Sequence, residues 1–250
     1  MIYGLYQSAA GLLTTDYRQA VLANNLANAD TVGFKRDIPV LAERVPASEA
    51  GVRSGPSDPN LAGLTGGLWL GRTHTDCSPG PAVATDNTLD LALQGPGFFV
   101  VSVNGQPLYT RDGRLMVRED GRIVAASDGA EVVGRGGAPL RARRTGGPLA
   151  VDEDGVIQQD GRRIGQLALA DFSDYGALRK VGATRFAAPD EALAPCSALV
   201  HSGYVESSSV QPIAELVEMM AAARAYQMNA QMVSLQDQTI GRLISGALRA

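Results

Sequence analysis

Apolar positions near the C-terminal end recur at alternating three- and four-residue steps: Leu216, Met219, Ala223, Tyr226, Ala230, Val233, Asp237, Ile240 and Ile244. Only Asp237 breaks the run, and a repeat of about 3.5 residues predicts a coiled-coil-like helical seam over Ile213–Ile244. Pro212 falls where a first-turn proline is tolerated, Ser209 is placed to cap, and Glu215 and Glu218 lie near the positive end of the helix. No proline or glycine follows until Gly241, so a helix of about 30 residues and roughly 45 Å is expected. Ile2, Leu5, Ala9, Leu12, Asp16, Gln19, Ala23 and Leu26 show the same spacing at the other end, with Tyr6, Leu13 and Tyr17 as a second apolar flank. That run stops in Asn28–Phe34, where Asn28 and Asp30 compete for backbone groups and Gly33 can take positive φ. Helices that are apolar on more than one flank have more surface to bury than a single partner helix covers.

Between the helices the pattern changes twice. Residues 35–80 are rich in Gly, Pro, Ser and Ala. Short apolar pieces at Ile38–Leu41 and Leu68–Leu70 suggest strands in an extended connector with a mobile tip near Gly51–Pro59, and Trp69 reads as a packing anchor. From 81 to 209 the signal is β. Leu89–Leu93 alternates, Gly97–Val103 reads as a buried strand, and Ile164–Leu169 alternates again. Asn104-Gly105, Asp112-Gly113, Asp120-Gly121, Asp128-Gly129, Asp154-Gly155 and Asp160-Gly161 supply the backbone freedom that tight hairpin turns require. The fold class that follows is α+β: terminal helices (1–34 and 210–250) pairing as a coiled-coil-like tube domain, an extended connector (35–80), and a central, mainly antiparallel β domain (81–209) of meander or irregular-barrel form.

Charge and candidate chemistry narrow the function classes. A net charge of -4 and a pI near 5.2 argue against a general nucleic-acid binder. No segment approaches the ~18 continuous apolar residues of a membrane span. There is no positive charge before Arg18 and no small-residue cleavage pattern, so no cleavable secretory signal is expected. The aspartates before glycine are accounted for by turn chemistry, and the glycine clusters at 134–137 and 146–147 lack the strand-to-helix setting of a phosphate loop. Arg141, Arg143 and Arg144 read as an exposed charged loop. His74, Cys77, Cys196 and His201 bracket the β region, and their chemistry leaves open a Cys2His2 zinc site, a Cys77–Cys196 disulfide, or two plain thiols. No cofactor and no catalytic residue is expected.

Several stretches together resemble the bacterial flagellar rod and hook proteins. They are Ala23–Lys35 (ANNLANADTVGFK), Leu89–Phe99 (LDLALQGPGFF), Tyr109–Gly113 (YTRDG), Gly203–Val210, Glu215–Met220 and Ala223–Tyr226, in the family's order over nearly the whole chain. The resemblance implies an axial basal-body component, exported from the cytoplasm by the flagellar type III apparatus and built into the periplasm-spanning rod. Its partners would be itself and other rod and hook proteins, with no nucleic acid and no membrane insertion. The terminal helices would form the inner tube with the β domain outside. Chain length and the short connector look more like a proximal-rod than a distal-rod component. On this reading Leu5, Leu12, Leu26, Leu216, Met220, Tyr226, Val233 and Ile240 are subunit-packing residues, and Gly33 and Phe34 set the exit from tube to outer domain. The competing classes are a secreted β-domain glycan binder or enzyme with helical tails, and a cytoplasmic coiled-coil scaffold.

Overall fold

The computed structural model describes residues 2–43, 45, 67–144, 146–189 and 193–247, so the expected tip at Gly51–Pro59 lies outside the described residues. Two long helices stand at the ends: α1 (Ile2–Ala27) and α2 (Pro212–Ala247), with antiparallel β structure between. Pro212 opens α2 as expected, and the first helical bond runs from the Glu215 N–H to the Gln211 carbonyl. One expectation is corrected here. Ser209 does not cap the helix; its hydroxyl accepts the backbone N–H of Arg36. Gly241 lies inside the helix, where a single interior glycine costs only about 1 kcal/mol.

The described residues form two compact units, 1–26 with 37–74 and 211–250, and 27–36 with 75–210. In the helical unit, Leu41–Glu43 pairs with Leu68–Leu70, Ala42 facing Trp69. Trp69 is 62% exposed, so it anchors no core in this chain. Gly67 lies against Ala10 of α1, and the Tyr17 hydroxyl meets that of Thr73.

The β unit is built from several sheets, the largest of nine strands; the described strands close no barrel, and the large sheet has non-sequential neighbours, so it is not a simple meander either. Phe98–Val103 is its centre, flanked by Gln106–Thr110, Glu131–Val132 and Leu169–Phe172. Asn104-Gly105 makes the hairpin after the central strand, with φ of 52° and 79°. Asp120-Gly121, Asp128-Gly129, Asp154-Gly155 and Asp160-Gly161 also sit in strand connections with their glycines at positive φ. Asp112-Gly113 departs from the pattern. Gly113 is not at positive φ; a Cβ there would meet the Leu91 carbonyl oxygen at 1.9 Å, so the glycine serves a close backbone approach. Leu91–Gln94 is buried on three successive residues rather than alternating; Leu91 and Leu93 belong to the aliphatic core, and the strand pairs with Leu199–Ser202. One core is aliphatic, around Leu91, Ile123 and Ile157. The other is aromatic, with Phe98 set 5.7 Å from Phe172 and 5.5 Å from Phe186.

Candidate functional site

The helical unit buries several polar residues, Thr14, Asn25 and Glu215 among them, and leaves many large apolar ones exposed. Along α1 the exposed positions include Tyr6 (72%) and Leu13 (67%). On α2, Ile213 (80%), Val217, Met220, Met228, Met232, Leu235, Leu243 and Ile244 are exposed. The covered face of α2 instead runs through Glu215, Met219, Ala222, Asn229, Val233, Gln236 and Ile240. Four contacts tie the helices along this face. The Arg18 guanidinium reaches the Glu218 carboxylate at 3.1 Å, and the Asn25 amide reaches Glu215 at 3.3 Å. Gln236 and Asn229 lie over Gly4 and Gly11, close enough that a Cβ on either glycine would stand 2.9 or 2.8 Å from the amide nitrogen. Asn25 also brackets Asp37, donating to its carbonyl and accepting its N–H.

Of the expected packing residues, Leu216, Met220 and Tyr226 are exposed, while Leu5, Leu12, Leu26, Val233 and Ile240 are half-buried. Gly33 and Phe34 are covered within the chain itself, Phe34 at 1% exposure. Contiguous exposed apolar surface is a general feature of interaction faces.

The β unit holds a second constellation, which pattern reading missed. Lys35 is fully buried, and its ammonium donates to Glu206 at 2.5 Å and to the Ser78 carbonyl at 2.7 Å. The same carboxylate accepts from the Gly80 N–H at 2.9 Å and from Arg111 at 3.0 Å. Burial is the main influence on the Lys35 ammonium and pulls its pKa down, while the Glu206 charge pulls the other way. Arg111 also donates to the Gly95 carbonyl and lies over the Phe98 ring, 5.4 Å from its centre. Gly33, at φ 70°, donates to the Glu206 carbonyl and presses against the Arg111–Asp112 backbone, where a Cβ would be 2.4 Å from the Asp112 nitrogen. Phe34 accepts the Ser209 N–H on its carbonyl and carries the Lys180 ammonium 3.9 Å from its ring centre. The signal available was that Lys35, Arg111 and Glu206 each lie in a stretch that carries the family resemblance.

The remaining candidates separate. Both cysteines are free: Cys77 packs beside the aromatic core, and Cys196 donates weakly to the Pro96 carbonyl. The His201 ring bonds the Gln94 side chain at 2.6 Å, and among the described residues no group of three or more His, Cys, Asp or Glu side chains is placed to hold a metal ion. Arg118, Arg143 and Arg144 line an open hollow of about 720 Å³ with Glu119, all four exposed, in keeping with a charged loop. No helix among the described residues is long and apolar enough to cross a membrane.

Residues 5–35 match the family model of the flagella basal body rod protein, and residues 201–245 match the flagellar basal body rod FlgEFG protein C-terminal model. Residues 92–161 match the flagellar hook protein FlgE/F/G D1 domain. The chain is 34% identical over 232 residues to the flagellar basal-body rod protein FlgF of Caulobacter vibrioides, covering 92% of this chain and 91% of the relative. It is 30% identical over 262 residues to FlgG of Buchnera aphidicola subsp. Schizaphis graminum, covering 97% and 99%. FlgG of Caulobacter vibrioides is 30% identical over 260 residues, covering 94% and 96%.

Proposed function

The chain belongs to the flagellar basal-body rod proteins of the FlgF/FlgG type and is a structural component of that rod; from this premise we propose that it polymerises through its two terminal helices and transmits torque in the proximal, FlgF-type segment. The observation that carries the reading is the apolar face left open on both helices, which includes Leu13, Ile213 and Met220. Covering that face requires further chains, and a contact that does not close on itself generates a helical filament. Packed interiors resist compression, so a shaft whose helices are buried against neighbours is stiff. Leu5, Leu12, Leu26, Leu216, Met220, Tyr226, Val233 and Ile240 are the packing residues in this account, with α1 and α2 paired as a coiled coil.

Gly33 and Phe34 fix the exit from each helix to the β domain. Segments 33–36 and 206–209 are hydrogen-bonded to each other beside the Lys35–Glu206–Arg111 cluster, and in sequence they continue into the helical unit. The partners are further copies, other axial proteins and the flagellar type III export apparatus, and the working location is the periplasm-spanning rod. The mechanism is mechanical and employs no catalytic group. The FlgF preference draws support from the Caulobacter pair, where FlgF is 34% and FlgG 30% identical to this chain.

Leu216→Asp and Leu26→Asp are each expected to abolish motility while the β unit stays folded by circular dichroism. Motile cells carrying either change contradict the reading. Basal bodies from cells lacking the chain place it further: a rod truncated near its base agrees with the proximal assignment, and one stopping short of the outer rings makes the chain a distal component.

A further inference from the structure

We propose that the register between α1 and α2 is set by a polar seam, in which Gly11 with Asn229, and Gly4 with Gln236, are the positioning pairs. This rests on the reading of the two helices as the packing elements of the shaft, and it adds what decides how they align. Gly4, Gly11, Arg18 and Asn25 follow one another at seven-residue intervals, and so do Glu215, Ala222, Asn229 and Gln236. The two series run antiparallel: Gln236 over Gly4, Asn229 over Gly11, Glu218 at Arg18, Glu215 at Asn25. Ala222, buried at the middle of the second series, is level with Arg18, whose guanidinium turns instead to Glu218 one helical turn away.

A seam of leucines would look alike after a slip of one heptad, about 10 Å along the axis. This seam does not. Slipping α2 one way sets Arg18 level with Asn229 and Asn25 level with Ala222, which removes the carboxylate from each. It also sets Leu243 against Gly4. Slipping it the other way sets Gly11 level with Ala222 and leaves a hole where an amide now sits. One slip takes the Glu215 carboxylate from the buried Asn25 and the other opens a void at Gly11, so polar and small side chains at seam positions favour one register. Glycine at positions 4 and 11 is what admits the two amides. Register in turn fixes which exposed apolar residues of α1 stand beside which of α2, and so the surface offered to the next subunit.

The test uses the full chain in cells lacking it, with chain content of purified basal bodies as the readout. Gly11→Asn places two amides in one space and is expected to lower the assembled chain by about tenfold, the scale of coupling between touching residues. Gly11→Asn combined with Asn229→Gly exchanges large and small across the seam and is expected to recover most of the loss. Normal assembly of Gly11→Asn, or a double variant no better than the single one, overturns the proposal.

Because the single variant can fail simply by not folding, a second measurement reads register directly in a Cys77→Ser/Cys196→Ser background. A short bismaleimide is expected to join Gly4→Cys to Gln236→Cys within one chain in assembled rods, and not Gly11→Cys to Gln236→Cys. A dominant second cross-link overturns the proposal. Leu216→Asp distinguishes the two levels: if it still assembles, the packing reading fails, whereas if it does not and the swap or cross-links disagree, only the register claim fails.

Discussion

The helical unit and the β unit differ in how much of their apolar surface they bury. In the β unit, aromatic and aliphatic side chains such as Phe98, Phe186 and Ile157 are inside, together with an ion cluster whose charges are met by partners. In the helical unit, Asn25 and Glu215 are buried while Leu13, Ile213 and Met228 face outward. The β unit has cores of its own, whereas on the proposed function the helical unit is completed by something apolar that covers it, so stability and assembly ought to respond to different residues.

Glu206→Ala gives the largest expected effect. It leaves Lys35 and Arg111 buried without a carboxylate and should cost about 3–5 kcal/mol, read by denaturant unfolding of the full chain. A loss below ~1 kcal/mol would mean that the cluster is hydrated or rearranges, and would weaken the contrast between the units. Met228→Glu is the converse. As an exposed substitution it should move the unfolding free energy of the free chain by no more than about 0.5 kcal/mol, yet remove the chain from basal bodies. A large stability loss there would show that the helical unit already has a core of its own.

The smallest effect is confined to alkaline pH. Burial, helped by the hydrogen bond to Asp171, pushes the Tyr175 phenol up to about 12 from an ordinary 10.0. The folded state therefore holds this proton more tightly, and stability should fall as pH rises from 10.0 toward about 12. Tyr175→Phe should flatten that part of the profile and leave neutral pH nearly unchanged. An unaltered alkaline slope would assign it to other groups.

What could be read from the sequence divides along the same line. The helices, the central strand and most turn dipeptides follow from period and turn chemistry, which are local. The covered face of α2 does not, because apolar stripes are ordinarily assigned to the inside of the same molecule. Here Leu216 and Ile244 keep helical spacing but stand exposed, one residue out of phase with the series Glu215, Ala222, Asn229 and Gln236. On the proposed function, that stripe keeps helical period for a surface that another chain covers. Lys35 was illegible for a related reason: a lysine ending a helix-exit motif reads as solvated, and only Glu206, far along the chain, makes its burial tolerable. Asp112-Gly113 has the composition of a hairpin turn, and what sets it apart is the Leu91 backbone packed against it, a non-local fact.

Accessibility of the α2 outer face before and after assembly tests the central claim most directly. With Met220→Cys as the single thiol, in a Cys77→Ser/Cys196→Ser background, maleimide labelling is compared between purified free chain and intact basal bodies. The account predicts rapid labelling of the free chain and protection in the basal body. Equal labelling in both states would contradict it, since the face would then remain open to solvent in the finished rod.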